Sequence, residues 1–328
     1  CIRDIFENIL GFEYPVASNL YFSKKTICML LGIKVEEFIP TLVKAIENPR
    51  EPEIIKNDWY EQIESDLEKL PILLHYSKDG GRYITSGIVI ANNAEYGLNA
   101  SYHRAMVLDK NKLVLRILPR HFHSYIKQGL KEFAICIGNE PQVAIAGAIS
   151  CEIDKSELSI ANTIKETKLV KLGKHLVPRS EFVIIAELTD MEENEGPFVD
   201  LTGTYDIVRR QPVAVVKSIY RRRNGAIYHA LLPAGNEHKT LMGLPREPTI
   251  FMGVNKVCRC LDVNMTPGGC SWLHAVVKIK KQARDDGKLA IEGAFKGHSS
   301  LKHVVVVDED IDIYDMQSVE WAIATRFQ

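Results

Sequence analysis

RYITSGIVIAN, residues 82–92, is β-branched and aromatic for most of its length, with Gly87 inside it and Asn92 closing it. That composition suits a strand bounded by turn signals. The pattern recurs in ASYHRAMVLD, KLVLRIL, FVIIAELTD, PVAVVKSIY and GAIYHALL. Many short strands with Gly and Asn between them predict a β-barrel or sandwich. Helical periodicity interrupts the series at HFHSYIKQGLKEF and SELSIANTIKE. Upstream the reading is mostly helical: IRDIFENIL, then SKKTICMLLGI with Ser23 as N-cap, then VEEFIPTLVKAIEN ending before Pro49. Downstream of Pro245 the rhythm is α/β, with TIFMGVNKVCRCLDV as strand, SWLHAVVKIKKQARDDG as helix, then HVVVVDEDIDI and a terminal helix. HVVVV reads as a buried parallel strand, and the acids after it as either a ligand site or a solvated loop. The expected organisation is a mixed α+β and α/β multidomain chain. A small N-terminal α/β unit spans 1–71, a central β-barrel domain 72–233 and a C-terminal α/β domain 234–328.

Bulk composition narrows the function classes. With 328 residues the chain is long enough for two or three domains and a sizeable core. A net charge of -1 offers no field for nucleic acid or an anionic membrane, so small molecules or copies of the chain are the expected partners. The Arg221–Arg223 knot reads as a solvated strand end. Seven scattered cysteines, with Cys258 and Cys260 the one close pair, fit a reduced, cytoplasmic protein better than a zinc site. No apolar run reaches the roughly 18 residues of a membrane helix, and no signal-peptide core is present. Cys1 stands where a Met is expected, and MQSVEWAIATRFQ is a helix pattern without a stop. Truncation at both ends is therefore expected. There is no internal repeat, no low-complexity tract and no GxGxxG or GxxxxGK phosphate loop.

Two constellations could carry chemistry. Asn99, His121 and Glu157 offer an amide oxygen, an imidazole and a carboxylate, a set better suited to magnesium or manganese than to zinc. On spacing alone a lone histidine reads more readily as a structural one than as a ligand. EGPFVDLTGTYD, residues 195–206, bends at Gly196 and Pro197 between two acids, Glu195 and Asp200. Arg104 is the side chain type that forks a carboxylate, and beside these acids it would join a pair whose unequal surroundings keep one carboxyl protonated. An arginine and two acids on a wet rim is the plainer alternative.

The ordered set YITSGIVI, LNASYHRAM, LPRHFHSYI, EGPFVDLTGTYD and HVVVVDEDIDIYD resembles the UbiD family of decarboxylases, which use prenylated flavin mononucleotide. The resemblance implies a split β-barrel that binds prenylated FMN. It implies a divalent metal, manganese or magnesium, on Asn99, His121 and Glu157, bridging to the cofactor phosphate. The segment Asn99, Ala100, Ser101, Tyr102, His103 and Arg104, with Arg120 and His121, would cradle the cofactor. A potassium site would use carbonyls near Ala148 to Cys151, and Lys296, with Lys302 as fallback, would contact the cofactor. The catalytic group would be Arg104, Glu195 and Asp200. Glu195 would hold Arg104, and Asp200, in a position where some members have Glu, would donate the proton.

The corner is similar to that of an archaeal branch assigned the conversion of trans-anhydromevalonate 5-phosphate to isopentenyl phosphate and CO2. A phosphorylated substrate would need further donors, for which Lys174, His175, Arg209 and Arg210 flank the corner. The alternatives are a decarboxylase of an aromatic acid such as a 4-hydroxybenzoate derivative, and a non-catalytic flavin-binding assembly subunit. The resemblance also implies a flavin prenyltransferase that supplies the cofactor, and a dimer or hexamer built through the last domain.

Overall fold

Nine strands join one sheet in the computed structural model, which describes residues 4–327; Cys1, expected above to replace a Met, lies outside them. From Tyr83–Ile84 at one edge the order runs through Ala105–Asp109, Lys112–Leu115, Arg209–Arg222, Phe182–Glu195, Glu132–Ile137 and Ile88–Asn93 to Gly97–Tyr102. Tyr60–Ile63 also pairs with Arg209–Arg222. All these pairings are antiparallel. Among the described residues none joins the two edges, so the sheet is not a closed barrel.

Alternate residues on the central strands build the core. Phe133, Ile135 and Ile137 face the same cluster as Phe182, Ile184 and Ala186. The intervening Ala134, Cys136, Val183 and Ile185 are buried too, which is why these strands read as continuous apolar runs. Burying one large apolar side chain contributes roughly 1.5 to 3 kcal/mol, against about 0 to 1 for a surface ion pair. Packing therefore fixes the strands and helices that carry the site residues. Helix Glu157–Ile164, N-capped by Ser156, packs on strand Gly97–Tyr102, and helix His121–Lys127 packs beside it.

The chain divides into two compact units, one holding the residues up to Phe22 and Asn48–His238, the other Ser23–Glu47 and the residues from Lys239 on. In the second, strands Cys260–Met265, His274–Ile279 and His303–Val307 form a three-stranded sheet, antiparallel then parallel. Helices Lys24–Leu31, Phe38–Glu47, Arg246–Asn255, Asp286–Gly297 and Met316–Arg326 belong to the same unit. Ser23 caps its helix as expected, its side chain accepting from Thr26 N at 3.1 Å.

Several local expectations are overturned. Asp4–Phe6, read as helical, is a strand paired with Val16–Ser18, because an edge partner supplies backbone bonds that three residues cannot supply alone. TIFMGVN belongs to helix Arg246–Asn255, with Pro248 in the first turn, where its missing N–H costs nothing. HAVVKI, read within a helix, is strand His274–Ile279, in keeping with its β-branched pair. HVVVV is parallel as expected, yet Val304, Val305 and Val306 are only partly buried, since it lies at the edge of a three-stranded sheet. Among the described residues no helix is long and apolar enough to cross a membrane, and no disulfide forms.

Candidate active site

Glu195 ends the 14-residue strand Phe182–Glu195 and its side chain is 0% exposed. The strand stops because Gly196 takes φ +102, a conformation L side chains rarely adopt, before Pro197 and the short pair Phe198–Val199 and Tyr205–Asp206. At the hairpin tip Asp200 N donates to Thr204 O at 2.9 Å and Gly203 N to Asp200 O at 2.8 Å. Arg104 stands between strands Gly97–Tyr102 and Ala105–Asp109 and reaches this corner. Its Nε donates to Glu195 Oε1 at 2.8 Å and its Nη2 to Glu195 Oε2 at 2.9 Å, a two-bond fork. Nη1 lies 3.5 Å from Asp200 Oδ2, and Nη2 also donates to Asp206 Oδ2 at 3.0 Å. The guanidinium carbon lies 4.6 Å from the centre of the Phe198 ring. Tyr83 donates its hydroxyl to Glu195 Oε1 at 3.0 Å, and burial together with that carboxylate keeps the phenol protonated well above its usual range. Asp200 is 50% exposed, so the two acids sit in contrasting environments around one cation.

A second cluster gathers at the Asn99 end of the Asn99–Arg104 segment. Asn99 Nδ2 donates to both Glu157 oxygens at 3.1 Å and Ala100 N donates to Oε2 at 2.8 Å. His121 Nδ1 is 3.9 Å from Glu157 Oε1. Glu157 is 3% exposed, and burial pushes its carboxyl up to about 7. Burial and then the nearby Arg120 lower the His121 imidazole, leaving it neutral with a lone pair to offer. Asn99 Oδ1 accepts from Ser101 Oγ at 3.1 Å, and the same Oγ lies 3.1 Å from His103 Nε2. His103 Nδ1 donates to Arg116 O at 3.0 Å, and burial lowers this imidazole to about 4. Tyr102 donates its hydroxyl to Ala144 O at 3.1 Å. The three expected metal ligands thus stand together. Among the described residues no group of three or more His, Cys, Asp or Glu forms a metal-binding cluster, the set here being one His, one Glu and an amide.

The family description UbiD, 3-octaprenyl-4-hydroxybenzoate carboxy-lyase Rift-related domain, matches residues 48–236. The corresponding C-terminal domain matches residues 239–328. The chain belongs to the UbiD family. Its mixed α+β fold is the UbiD fold. An evolved dimeric form of the UbiD-class enzyme HmfF from Pelotomaculum thermopropionicum, in complex with prFMN, superposes with a TM-score of 0.93 at 33% identity, over 99% of this chain and 80% of that one. A Methanothermobacter thermautotrophicus protein named anhydromevalonate phosphate decarboxylase is 44% identical over 335 residues, 98% of this chain and 79% of its own. A protein of the same name from Methanocaldococcus jannaschii is 43% identical over 336 residues, again 98% and 79%.

The remaining expected residues of this UbiD chain scatter. Arg120 is exposed at the start of helix His121–Lys127. Lys174 and His175 pair with Glu132 at 2.7 and 3.5 Å and line a surface pocket with Gln128 and Lys131, away from the acid corner. Arg209 is at the corner, 2.7 Å from Asp206, whereas Arg210 turns to Glu193 and the Glu192 carbonyl. Ala148 and Ile149 are buried, and Cys151 Sγ donates to Glu157 Oε1 at 3.5 Å. Lys296 is exposed on helix Asp286–Gly297 and Lys302 is exposed before strand His303–Val307, both in the second unit. Sequence reasoning gave no role to Tyr83, Phe198, Asp206 or Arg116. Phe198 and Asp206 lie in the corner already singled out, Asp206 as its third acid.

Proposed function

We propose that this chain is a prenylated-FMN-dependent decarboxylase that converts trans-anhydromevalonate 5-phosphate to isopentenyl phosphate and CO2. The observation that carries the reading is Arg104, forked on the buried Glu195 with its Nη1 edge turned to the half-exposed Asp200. It supports a carboxylate-binding cation held by one acid and flanked by another. The 44% identity to a protein named for this reaction supports the substrate.

The net change replaces a C–CO2 bond with a C–H bond and consumes one proton. When bound, prenylated FMN supplies an acceptor for the electron pair that CO2 leaves behind. Arg104 orients the substrate carboxylate through the N–H groups of Nη1, and Glu195 keeps the guanidinium from turning away. Tyr83 completes the hydrogen bonding of Glu195. Asp200 gives a proton to the carbon that lost CO2, and its exposure allows reloading from water. Asp in place of Glu shortens the donor by one methylene.

The Asn99, His121 and Glu157 set suits a divalent cation, manganese or magnesium. A buried carboxylate has amide donors and a neutral imidazole around it, and a cation would balance its charge. These side chains, with the backbone from Ala100 to Arg104 and with Arg120, would hold the cofactor and its phosphate. Carbonyls near Ala148 to Cys151 are the proposed potassium ligands. The open nine-stranded sheet is read as the split barrel that carries the flavin. A flavin prenyltransferase would supply the cofactor to a cytoplasmic homo-oligomer.

The test is CO2 release by cofactor-loaded protein from anhydromevalonate phosphate and from a panel of aryl and cinnamic-type acids. Release from anhydromevalonate phosphate alone is expected. Release from an aryl acid alone would replace the substrate, and none from any would favour a non-catalytic subunit. Asp200→Asn is expected to keep the flavin spectrum and lose about 100-fold or more in kcat. Near-normal turnover by that variant removes Asp200 from the mechanism.

A further inference from the structure

Arg104 has five N–H groups, and Glu195 takes two of them, one on Nε and one on Nη2. The second hydrogen of Nη2 goes to Asp206, whose Oδ2 is 3.0 Å away. A guanidinium forked on one carboxylate can still hinge about the fork. A third bond from a different acid, with the Phe198 ring against its face at 4.6 Å, removes that freedom. The two hydrogens of Nη1 remain, on the edge that faces Asp200.

Asp206 is itself braced. Its Oδ1 accepts from Ile207 N at 3.0 Å and is ion-paired with Arg209 Nη1 at 2.7 Å, and Arg116 Nε lies 3.9 Å from its Oδ2. Strand register places it opposite Phe198, so the acid and the ring that contact Arg104 are paired across one hairpin. Burial works against its charge, but the bonds from Arg209 and Arg104 outweigh that and hold its carboxyl below the usual range. An anion joined to two arginines in this way is a strut between them.

We infer that Asp206 is a positioning residue of the decarboxylation: it saturates Nη2 of Arg104 and leaves Nη1 as the edge that takes the substrate carboxylate, beside Asp200. The inference rests on Arg104 being the arginine that meets the substrate. Arg209 acts through Asp206, as the anchor of the strut.

Asp206→Asn keeps the shape of the side chain and removes its charge. In the cofactor-loaded protein kcat is expected to fall about 10- to 100-fold with the flavin spectrum unchanged. Asp206→Glu, which restores the carboxylate, is expected to recover part of the loss. Arg209→Met should cause a smaller fall, and the double variant should be no slower than Asp206→Asn alone, because both act through one contact. A second measurement does not depend on the substrate. Nitrogen-15 spectra of arginine side chains, with Arg104→Lys for assignment, should show the Arg104 Nη signals resolved in the native protein and averaged in Asp206→Asn. Unchanged kcat in Asp206→Asn, additive losses in the double variant, or unchanged Nη signals would each overturn the inference. Absence of turnover by the native protein on anhydromevalonate phosphate would sink the substrate assignment, and the nitrogen-15 arm would still decide the role of Asp206.

Discussion

At the scale of single residues, Arg104 organises the acid corner because its planar fork meets three acids at once. A lysine at this position keeps the charge and loses the geometry: one ammonium cannot make the parallel pair to Glu195 while lying flat on Phe198. Arg104→Lys is therefore expected to lower kcat about 100-fold while the protein still loads flavin; steady-state kinetics with absorbance as the loading control checks this, and a loss below about threefold would argue that charge alone suffices. That Arg104, Glu195 and Asp200 meet was legible because the family resemblance groups them around the corner motif. Tyr83 was not, since its hydroxyl meets an acid 112 residues away, and a strand tyrosine in a lone sequence looks like any other core aromatic. Asp206 was visible as a letter and silent as a function, because an acid after a turn ordinarily ends in water.

The elements that carry these side chains were read unevenly, and the reason is physical. Strands such as Ile88–Asn93 and Phe182–Glu195 declare themselves through β-branched runs, whereas Glu132–Ile137, with its first residues read as the end of a helix, and the short apolar segments Arg246–Asn255 and His274–Ile279 have periodicity that fits either state. The loop that clamps the acid corner gave no signal at all. Gly80 N donates to Pro197 O at 2.8 Å, and Asp79 accepts from Val199 N at 3.3 Å. A Cβ on Gly80 would lie 2.2 Å from Gly196 O and 2.7 Å from Gly196 C, both backbone atoms, so the corner would have to shift. Gly80→Ala should therefore displace Glu195 and its neighbours, costing about 1 to 3 kcal/mol of stability as well as activity. Denaturant unfolding and turnover test it together. A variant with native stability and native kcat would show that the corner tolerates the shift.

Over the whole chain, the part least visible in sequence is which distant segments share a unit. Strand Val16–Ser18 pairs in parallel with Tyr228–His229, a contact between segments about 200 residues apart that no local pattern encodes. Glu237 fastens the same join: its oxygens accept from Asn19 N at 2.8 Å, Tyr21 N at 2.9 Å and His229 Nε2 at 3.0 Å, and its side chain is 2% exposed. Burial opposes the charge of Glu237, but His229 and the two backbone donors outweigh it and hold the carboxyl below the ordinary glutamate value of 4.5. A carboxyl whose folded pKa is depressed adds stability that is fully present above its unfolded pKa and is lost as pH falls through the folded one. Glu237→Gln removes the charge and keeps the shape, so it should cost about 1 to 3 kcal/mol at pH 7. The gap to the native protein should narrow as pH falls below about 4.5 and through the depressed folded pKa, where the native carboxyl also becomes neutral. Denaturant unfolding of both proteins across that range measures it. A gap that does not narrow at any acid pH at which both proteins still fold would mean that Glu237 acts by shape alone and that its charge does not hold the N-terminal segment in place.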